Sequence, residues 1–495
     1  MAKPNSGVVE TKGAIRYFVQ RGGSTPENPV RYSGQDAQFL IIENTDRPLS
    51  NIDPIYVPHE RDASSFRYVG RNRQPPDLAT FTVQYMRYVG NFPAHLATID
   101  DFVTFYQVIG DTTDLSDLST AKQVTIMGDA EPTSLSEGGG AWDNSEQIID
   151  EVEYASPRVY TIGKIAFNEV GGSVVTSEVK GVTYGRRGSG IEAIYAVVDS
   201  TVSSPGSPPV VIYRTKHNGT VSSMAITGAA STDVPTDIAV VGKYLVVTVD
   251  DGGSGAIFVS ELDDDTGVPG TFTKITGVDA NMIYAPTART VFYACDGGVI
   301  KRASDVSSGN FETILSAGVL TSEDLLAIHG LYETIVAVGN NDTVLYSTDR
   351  GDNWQASVSP GTGANITAVS VINGSTWWIG TSAGDVYYTT DKGNTWTQAD
   401  LPAALTGIND IKFASPEVGF VAAVEGSTAR LYTTYTAGVN WTTGSPRLEN
   451  LGTWTRFNRI ALPDTRISIA ANHILLGGLG SGTDGVLLSG EPPLM

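Results

Sequence analysis

The octet STDRGDNW at residues 347–354 returns as TTDKGNTW at residues 389–396, 42 positions later, with a hydroxyl residue, Asp, Gly and Trp in fixed register. Each octet completes a short apolar strand, VLYSTD from Val344 and VYYTTD from Val386. Related phrases begin at Val211, Ile257, Val299, Arg430 and Val486. The seven starts are spaced by 46, 42, 45, 42, 44 and 56 residues, and each is preceded by a second strand ending in Gly, Asp or Asn, such as YLVVTVDDGG or TIVAVGNND. A third segment stands before that, for example TDIAVVG, ANITAVSVI or INDIKFAS. A unit of roughly 40 to 50 residues built only from short strands cannot bury both faces of its sheet without neighbours, which is the mark of a β-propeller blade. The expected architecture is all-β, with a seven-bladed β-propeller over residues 171–495.

The octets have a local physical logic. An Asp carboxylate accepts bonds from the N–H groups of its own turn, Gly takes a conformation that other residues resist, and the indole fills apolar space beside the next strand. They resemble the Asp-box (BNR repeat) of sialidase-like propellers, Ser/Thr-x-Asp-x-Gly-x-x-Trp. Ser347, Asp349, Gly351 and Trp354 match that pattern, as do Thr389, Asp391, Gly393 and Trp396. A third copy is read from Thr433, with Tyr435 in the Asp place and one extra residue before Gly438 and Trp441; Phe311 and Phe272 stand in the Trp place further upstream. The motif reads as a hairpin clasp rather than as chemistry or a calcium site. The last unit ends at VLLSGEPPLM without room for a fourth strand, so the ring is expected to close with a strand from GGSVVTSEVKGVTYG, residues 171–185.

With 32 Lys plus Arg against 54 Asp plus Glu, the formal charge of −22 opposes collecting phosphates and argues against tight nucleic-acid binding. Residues 101–150 hold one Lys and ten acidic residues. The single cysteine, Cys295 in TVFYACDGG, excludes an internal disulfide and reads as a small core residue. Neither an export signal nor a membrane-spanning run is expected.

No cofactor or metal is expected either. His59, His95, His217, His329 and His473 lack ligand spacing, while Asp250 with Asp251 and Asp263 to Asp265 abut Gly-containing turns. A sialidase-like glycosidase needs an arginine triad and a set of catalytic side chains on the propeller axis. The basic residues of the inner segments, Arg186, Arg187, Arg289, Lys412, Arg456 and Arg459, are scattered, so no enzymatic activity is expected.

Residues 1–170 do not repeat. Phe81, Val83 and Tyr85 share one face of a strand, and Tyr160 with Ile162 oppose Val159, Thr161 and Gly163 in another; ATIDDFVTFYQVIG fits either a short helix or a strand. GRNRQPPDLATFTVQY (70–85), FYQVIGDTTDLSDLS (105–119) and VTIMGDAEPTSLSEGGG are similar to segments of the tail tube proteins of long, non-contractile bacteriophage tails. That resemblance implies a β-barrel or sandwich module that joins its neighbours in rings, and rings that stack into a tube, with residues 1–13 and a loop from Pro48 to Asp62 ordering on assembly. It also implies a virion tail protein assembled in the host cytoplasm, partnered by itself and other tail proteins, without membrane contact. The propeller would be displayed outside, where it could touch a surface glycan or host polymer. Asp100, Asp101, Asp111, Asp114 and Asp117 would form an acidic lumen face past which DNA moves as non-specific cargo. The alternatives are a non-viral scaffold propeller that binds other proteins, and a sialidase-like glycosidase.

Overall fold

The computed structural model describes residues 15–21, 30–31, 41–46, 52–59, 62–73, 78–86, 103–109, 121, 123–136, 149–163, 165–187, 190–200, 207–215, 220–443, 448–449, 451–463, 472–480 and 482–491. Two compact units result, Met1–Asp114 with Thr120–Ile162 and Leu115–Ser119 with Gly163–Met495.

In the second unit the repeating apolar runs form, among the described residues, six four-stranded sheets and one five-stranded sheet, each antiparallel apart from one short parallel pairing. The first strands of the successive sheets are Val179–Arg187, Val234–Val241, Ala280–Tyr284, Leu325–Leu331, Ile366–Val371, Gly407–Phe413 and Arg456–Ala461. Each touches the first strand of the next sheet, and Arg456–Ala461 touches Val179–Arg187, so the series closes on itself. Second strands such as Val291–Cys295, Thr334–Gly339 and Trp377–Thr381 are buried along their whole length. Both of their faces are covered by neighbouring sheets, which is why they read as unbroken apolar runs rather than as alternations. Fourth strands are largely exposed, as in Thr273–Thr276 and Gln355–Ala356. Cys295 is buried as expected of a core residue, and burial pushes its thiol up to about 12.

The final sheet is completed by Ile165–Glu169, which pairs antiparallel with Gly485–Glu491 in the register Ala166↔Glu491 to Glu169↔Leu488. Val170 N–H continues the ladder to the Leu487 carbonyl at 2.8 Å. The closing strand therefore lies just before the 171–185 window that the sequence suggested. Inside that window the chain turns at Gly171 and Gly172, both at positive φ, and then becomes the first strand of the next sheet.

The first unit is built on a sheet in the order Val30–Arg31, Ile15–Arg21, Val103–Ile109, Gln123–Ser136, Ile149–Ser156, Ala79–Met86, Ile41–Asp46, with Arg158–Ile162 also paired to Gln123–Ser136. The segment that fitted a helix or a strand is a strand over Val103–Ile109. Phe81 and Val83 pair with Tyr154 and Val152, and the rings of Phe81, Phe105 and Tyr154 lie 4.8–5.7 Å apart in the core. Ile52–His59 and Asp62–Arg73 form a separate two-stranded sheet, from Ile52↔Arg73 to His59↔Asp62. Most of the expected loop from Pro48 to Asp62 is thus a hairpin strand. Its Ile, Tyr and Val content favours extended backbone despite Pro54 and Pro58. The start of the chain, residues 1–13, lies outside the described residues.

Candidate functional site

An inner strand of a ring is a sheet edge, so its outward backbone N–H and C=O groups need partners from elsewhere. Here every first strand carries an irregularity at the same place, and the residue skipped by the ladder is Lys180, Thr236, Asn281, Leu326, Thr367, Asn409 or Asn458. Such an extra residue leaves its side chain free to reach sideways. Thr236 Oγ1 donates to the Ala280 carbonyl (2.6 Å), Asn281 Nδ2 to Leu325 (3.0 Å), Asn409 Nδ2 to Phe457 (2.8 Å) and Asn458 Nδ2 to Val179 (2.8 Å). Thr367 Oγ1 donates in the same way to Ile408. Each acceptor is the residue just before the irregularity of the next sheet, so five of the seven junctions share one belt of hydrogen bonds, while Lys180 turns instead to Glu178 and Asp199. Leu326 has no polar side-chain atom to contribute and leaves a second gap.

Two residues beyond the irregularity the seven strands carry Val182, Ile238, Ile283, Ile328, Val369, Ile411 and Ile460, all buried. The residue between is Gly181, Asp237, Met282, Ala327, Ala368, Asp410 or Arg459, and several of these accept from the next strand. Asp237 Oδ2 takes the Ile283 N–H (3.0 Å), Met282 Sδ the Ile328 N–H (3.4 Å) and Asp410 Oδ2 the Ile460 N–H (2.8 Å). Arg459 of the last sheet faces Asp237 of the second, with Nε 3.9 Å from Oδ1. Gly181 makes that meeting possible, because a Cβ there would stand 3.0 Å from Asp237 Oδ1 and 2.8 Å from Ile238 N. Burial pushes the Asp237 carboxyl upward, against the pull of Arg459, the backbone N–H groups and Lys412.

One step further along lie Thr183, Ala239, Tyr284, His329, Ser370, Lys412 and Ala461. His329 Nδ1 accepts from Val371 N–H at 3.0 Å, and Ser370 Oγ from Phe413 N–H at 3.3 Å. Lys412 Nζ lies 3.5 Å from Asp410 Oδ1. Burial and the Lys412 charge hold the His329 imidazole down at about 3, so it is neutral at physiological pH. The Tyr284 ring lies 5.5 Å from it. Lys412 acts electrostatically on both Asp237 and His329, which belong to the second and fourth sheets.

The junction that closes the ring is held by a cluster of charged and amide side chains. Glu178 accepts from Arg456 Nε (2.8 Å), Asn458 Nδ2 (2.7 Å) and Lys180 Nζ (2.8 Å). Burial works to raise its carboxyl, but Lys180, Asn458 and Arg456 together hold it below the usual range. Near it, a cleft of about 350 Å³ opens beside Thr367, Gly407, Asn409 and Arg456. Arg456 is the one charged residue lining the cleft and is already engaged by Glu178.

The octets sit away from these strands, on the turns between third and fourth strands. Ser347 Oγ accepts from Gly351 N–H (2.8 Å) and donates to Asp349 Oδ1 (2.8 Å), which also takes Asn353 N–H (2.9 Å). The Asn353 side chain and N–H, with the Ser347 hydroxyl, hold Asp349 down at about 2. Thr389, Gly393 and Asp391 repeat this, with Thr395 N–H (2.9 Å) and Thr395 Oγ1 (2.7 Å) on the carboxylate. The indole of Trp354 donates to Gly351 O and that of Trp396 to Val358 O, each at 3.0 Å. Gly351 has φ +88°, and a Cβ there would meet Phe292 at 2.5 Å, so conformation and close approach both demand glycine.

The third copy is set in a different register from the one expected. Thr434 Oγ1 accepts from Gly438 N–H (2.9 Å) and Thr436 Oγ1 from Asn440 N–H (2.9 Å), so Thr434, Thr436, Gly438 and Trp441 hold the four places without an insertion. Thr436 replaces the carboxylate, while Tyr435 is buried. A hydroxyl is an acceptor too, a substitution the Asp-centred pattern concealed.

Asp250 and Asp263 accept from N–H groups of their own turns, as Asp251 does from Gly255 N–H. Among the described residues no group of three or more His, Cys, Asp or Glu is placed to hold a metal ion, and no helix is long and apolar enough to cross a membrane. Asp100, Asp101, Asp111, Asp114 and Asp117 lie outside the described residues, as do His95 and His217. Arg289 sits in an exposed turn, whereas Lys412 and Arg459 meet the axial carboxylates.

These repeating sheets are the architecture of a β-propeller. A family model for the DUF6242 beta propeller domain matches residues 330–485, less than half of the chain. Among solved structures, YCF48 from Cyanidioschyzon merolae is 14% identical, with 66% of this chain and 100% of that chain covered and a TM-score of 0.48. YCF48 bound to D1 peptide is 13% identical, with 67% and 97% covered and a TM-score of 0.47. U3-55K is 12% identical, with 64% and 96% covered and a TM-score of 0.45. No curated protein matches the sequence.

Proposed function

We propose that this chain is a self-assembling structural subunit of the tail tube type. Its N-terminal unit forms rings that stack into a tube, and its seven-bladed Asp-box propeller is carried on the outside. The observation that carries this reading is the hairpin of Ile52–His59 and Asp62–Arg73, which is hydrogen-bonded as its own two-stranded sheet. A two-stranded hairpin alone is marginal in water and gains stability by packing on something else. In a ring of identical subunits the surface it packs on belongs to the next copy, an interface of the head-to-tail kind that closes in the plane. Seven blades are supported by the sevenfold recurrence of the strand irregularity and by the Asn458 to Val179 bond that joins the last sheet to the first.

The propeller is read as a display module without catalytic activity. Asp237 and Asp410 are the carboxylates nearest the axial cations, and each accepts a backbone N–H from the next sheet. In this reading the tube belongs to a virion and is assembled in the host cytoplasm, with DNA as passing cargo.

Electron microscopy and light scattering of the full chain over a concentration series test the proposal. Rings or stacked tubes are expected, and replacing residues 52–73 by a short Gly-Ser linker should leave folded monomers. A full chain that stays monomeric at every concentration sinks the assembly reading and favours the scaffold alternative. Turnover of a sialoside would establish the glycosidase instead.

A further inference from the structure

The third residue beyond the irregularity reads Thr183, Ala239, Tyr284, His329, Ser370, Lys412 and Ala461 around the ring, a tier without a carboxylate. Three consecutive members, on the fourth, fifth and sixth sheets, are hydrogen-bond donors whose other bonds are already assigned. His329 Nδ1 is occupied as an acceptor by Val371 N–H, so the proton of the neutral ring sits on Nε2. Ser370 Oγ is occupied as an acceptor by Phe413 N–H, which leaves its O–H to donate.

Lys412 brings three N–H donors and meets Asp410 at 3.5 Å, beyond the usual 2.7–3.2 Å of a direct N–H···O bond. Both Asp410 oxygens already accept backbone N–H groups, Oδ1 from Ile411 (2.9 Å) and Oδ2 from Ile460 (2.8 Å). Arg459, on the neighbouring sheet, has a buried Nε without a hydrogen-bond partner, and its nearest carboxylate is Asp237 at 3.9 Å. His329 and Lys412 are only partly buried, whereas Ser370 between them in the series is buried.

An imidazole N–H, a hydroxyl and two cations thus stand on four successive first strands, with more donors than the protein's own acceptors use. We propose that the propeller axis binds a small oxyanion, the headgroup of a carboxylate or phosphate ligand, held by Lys412, His329 and Ser370 with Arg459 contributing charge. An anion at this place accepts bonds the protein leaves unmade, and charge-assisted bonds of this kind are the strong ones. The site belongs to the propeller and does not depend on assembly.

Equilibrium dialysis of the full chain against radiolabelled inorganic phosphate and, separately, radiolabelled acetate tests it at constant ionic strength. Saturable binding of about one anion per chain is expected. Phosphate retained in preference to acetate identifies a phosphate-type ligand, and the reverse a carboxylate. Lys412→Met should weaken binding roughly tenfold or more, Ser370→Ala should weaken it severalfold, and Lys412→Arg should preserve it. Circular dichroism checks that each variant is folded; should Lys412→Met fail to fold, Ser370→Ala decides. Absence of saturable binding of either anion, or folded Lys412→Met and Ser370→Ala variants that bind like the parent, overturns the proposal.

Discussion

Asn458 and Val179, separated by 279 positions in the chain, are joined by a 2.8 Å hydrogen bond from the Asn458 side-chain amide to the Val179 carbonyl. The same amide donates to Glu178 at 2.7 Å, so both of its hydrogens are spent on the segment that begins the first sheet. This is the belt bond of the junction where the two ends of the propeller meet, and there the ring depends on side chains rather than on chain connectivity.

Asn458→Ala removes both bonds and leaves the Val179 carbonyl without its side-chain donor. A buried acceptor left unmade costs about 1–3 kcal/mol. The variant should lower the unfolding free energy of the propeller transition by that amount, read as a lower urea midpoint at unchanged slope, whereas removing Asn281, away from the closing joint, should leave the joint's protease resistance intact. Equal protease sensitivity of the two variants around residues 171–178 would show that the joint is not special.

The second prediction concerns where the ring closes. Because Ile165–Glu169 supplies the outer strand of the last sheet, a chain of residues 163–495 should fold as a soluble propeller. A chain of residues 171–495 exposes the free edge of Gly485–Glu491, an invitation to pair with another copy. Size-exclusion chromatography should find the longer piece monomeric and the shorter one aggregated or oligomeric. Identical monomeric behaviour would mean that the closing strand is dispensable.

The octets and their period were legible in the sequence because the motif is local. A hydroxyl, a carboxylate, a glycine and an indole at fixed offsets satisfy N–H groups within one turn, and the residues appear wherever the turn does. The belt was hidden for the opposite reason. Its donors vary among Thr and Asn, its acceptors are backbone carbonyls without any residue signature, and Lys180 and Leu326 break the series. A trace remains in the recurring apolar partner two positions on, Thr236 with Ile238, Asn281 with Ile283, Asn409 with Ile411 and Asn458 with Ile460. The axial meeting of Arg459 with Asp237 was not legible at all, since it skips a whole sheet through the space that Gly181 leaves. The hairpin of residues 52–73 was obscured by Pro54 and Pro58, which weaken the strand pattern of its first arm.

The third prediction is an acid dependence of stability centred on His329. Its folded value is about 3 against an ordinary 6.5, so between those values the unfolded chain binds a proton that the folded chain does not. Stability therefore falls as pH drops from about 6.5 toward 3, and this group adds no further loss below. The slope approaches at most about 1.4 kcal/mol per pH unit, reduced by solvent screening because the ring is only partly buried. His329→Asn keeps an acceptor near Val371 N–H and removes the titration, so its urea midpoints should vary less between pH 4.5 and 7 than those of the parent. Asp349 and Asp391 remain in both proteins, and their lowered carboxyls lose their contribution only as pH falls below the ordinary 3.8. The two curves should consequently converge in shape below about pH 3, where His329 is charged in both states of the parent. Parallel curves across pH 4.5 to 7 would place the acid sensitivity elsewhere and remove the neutral imidazole from the account of the axis.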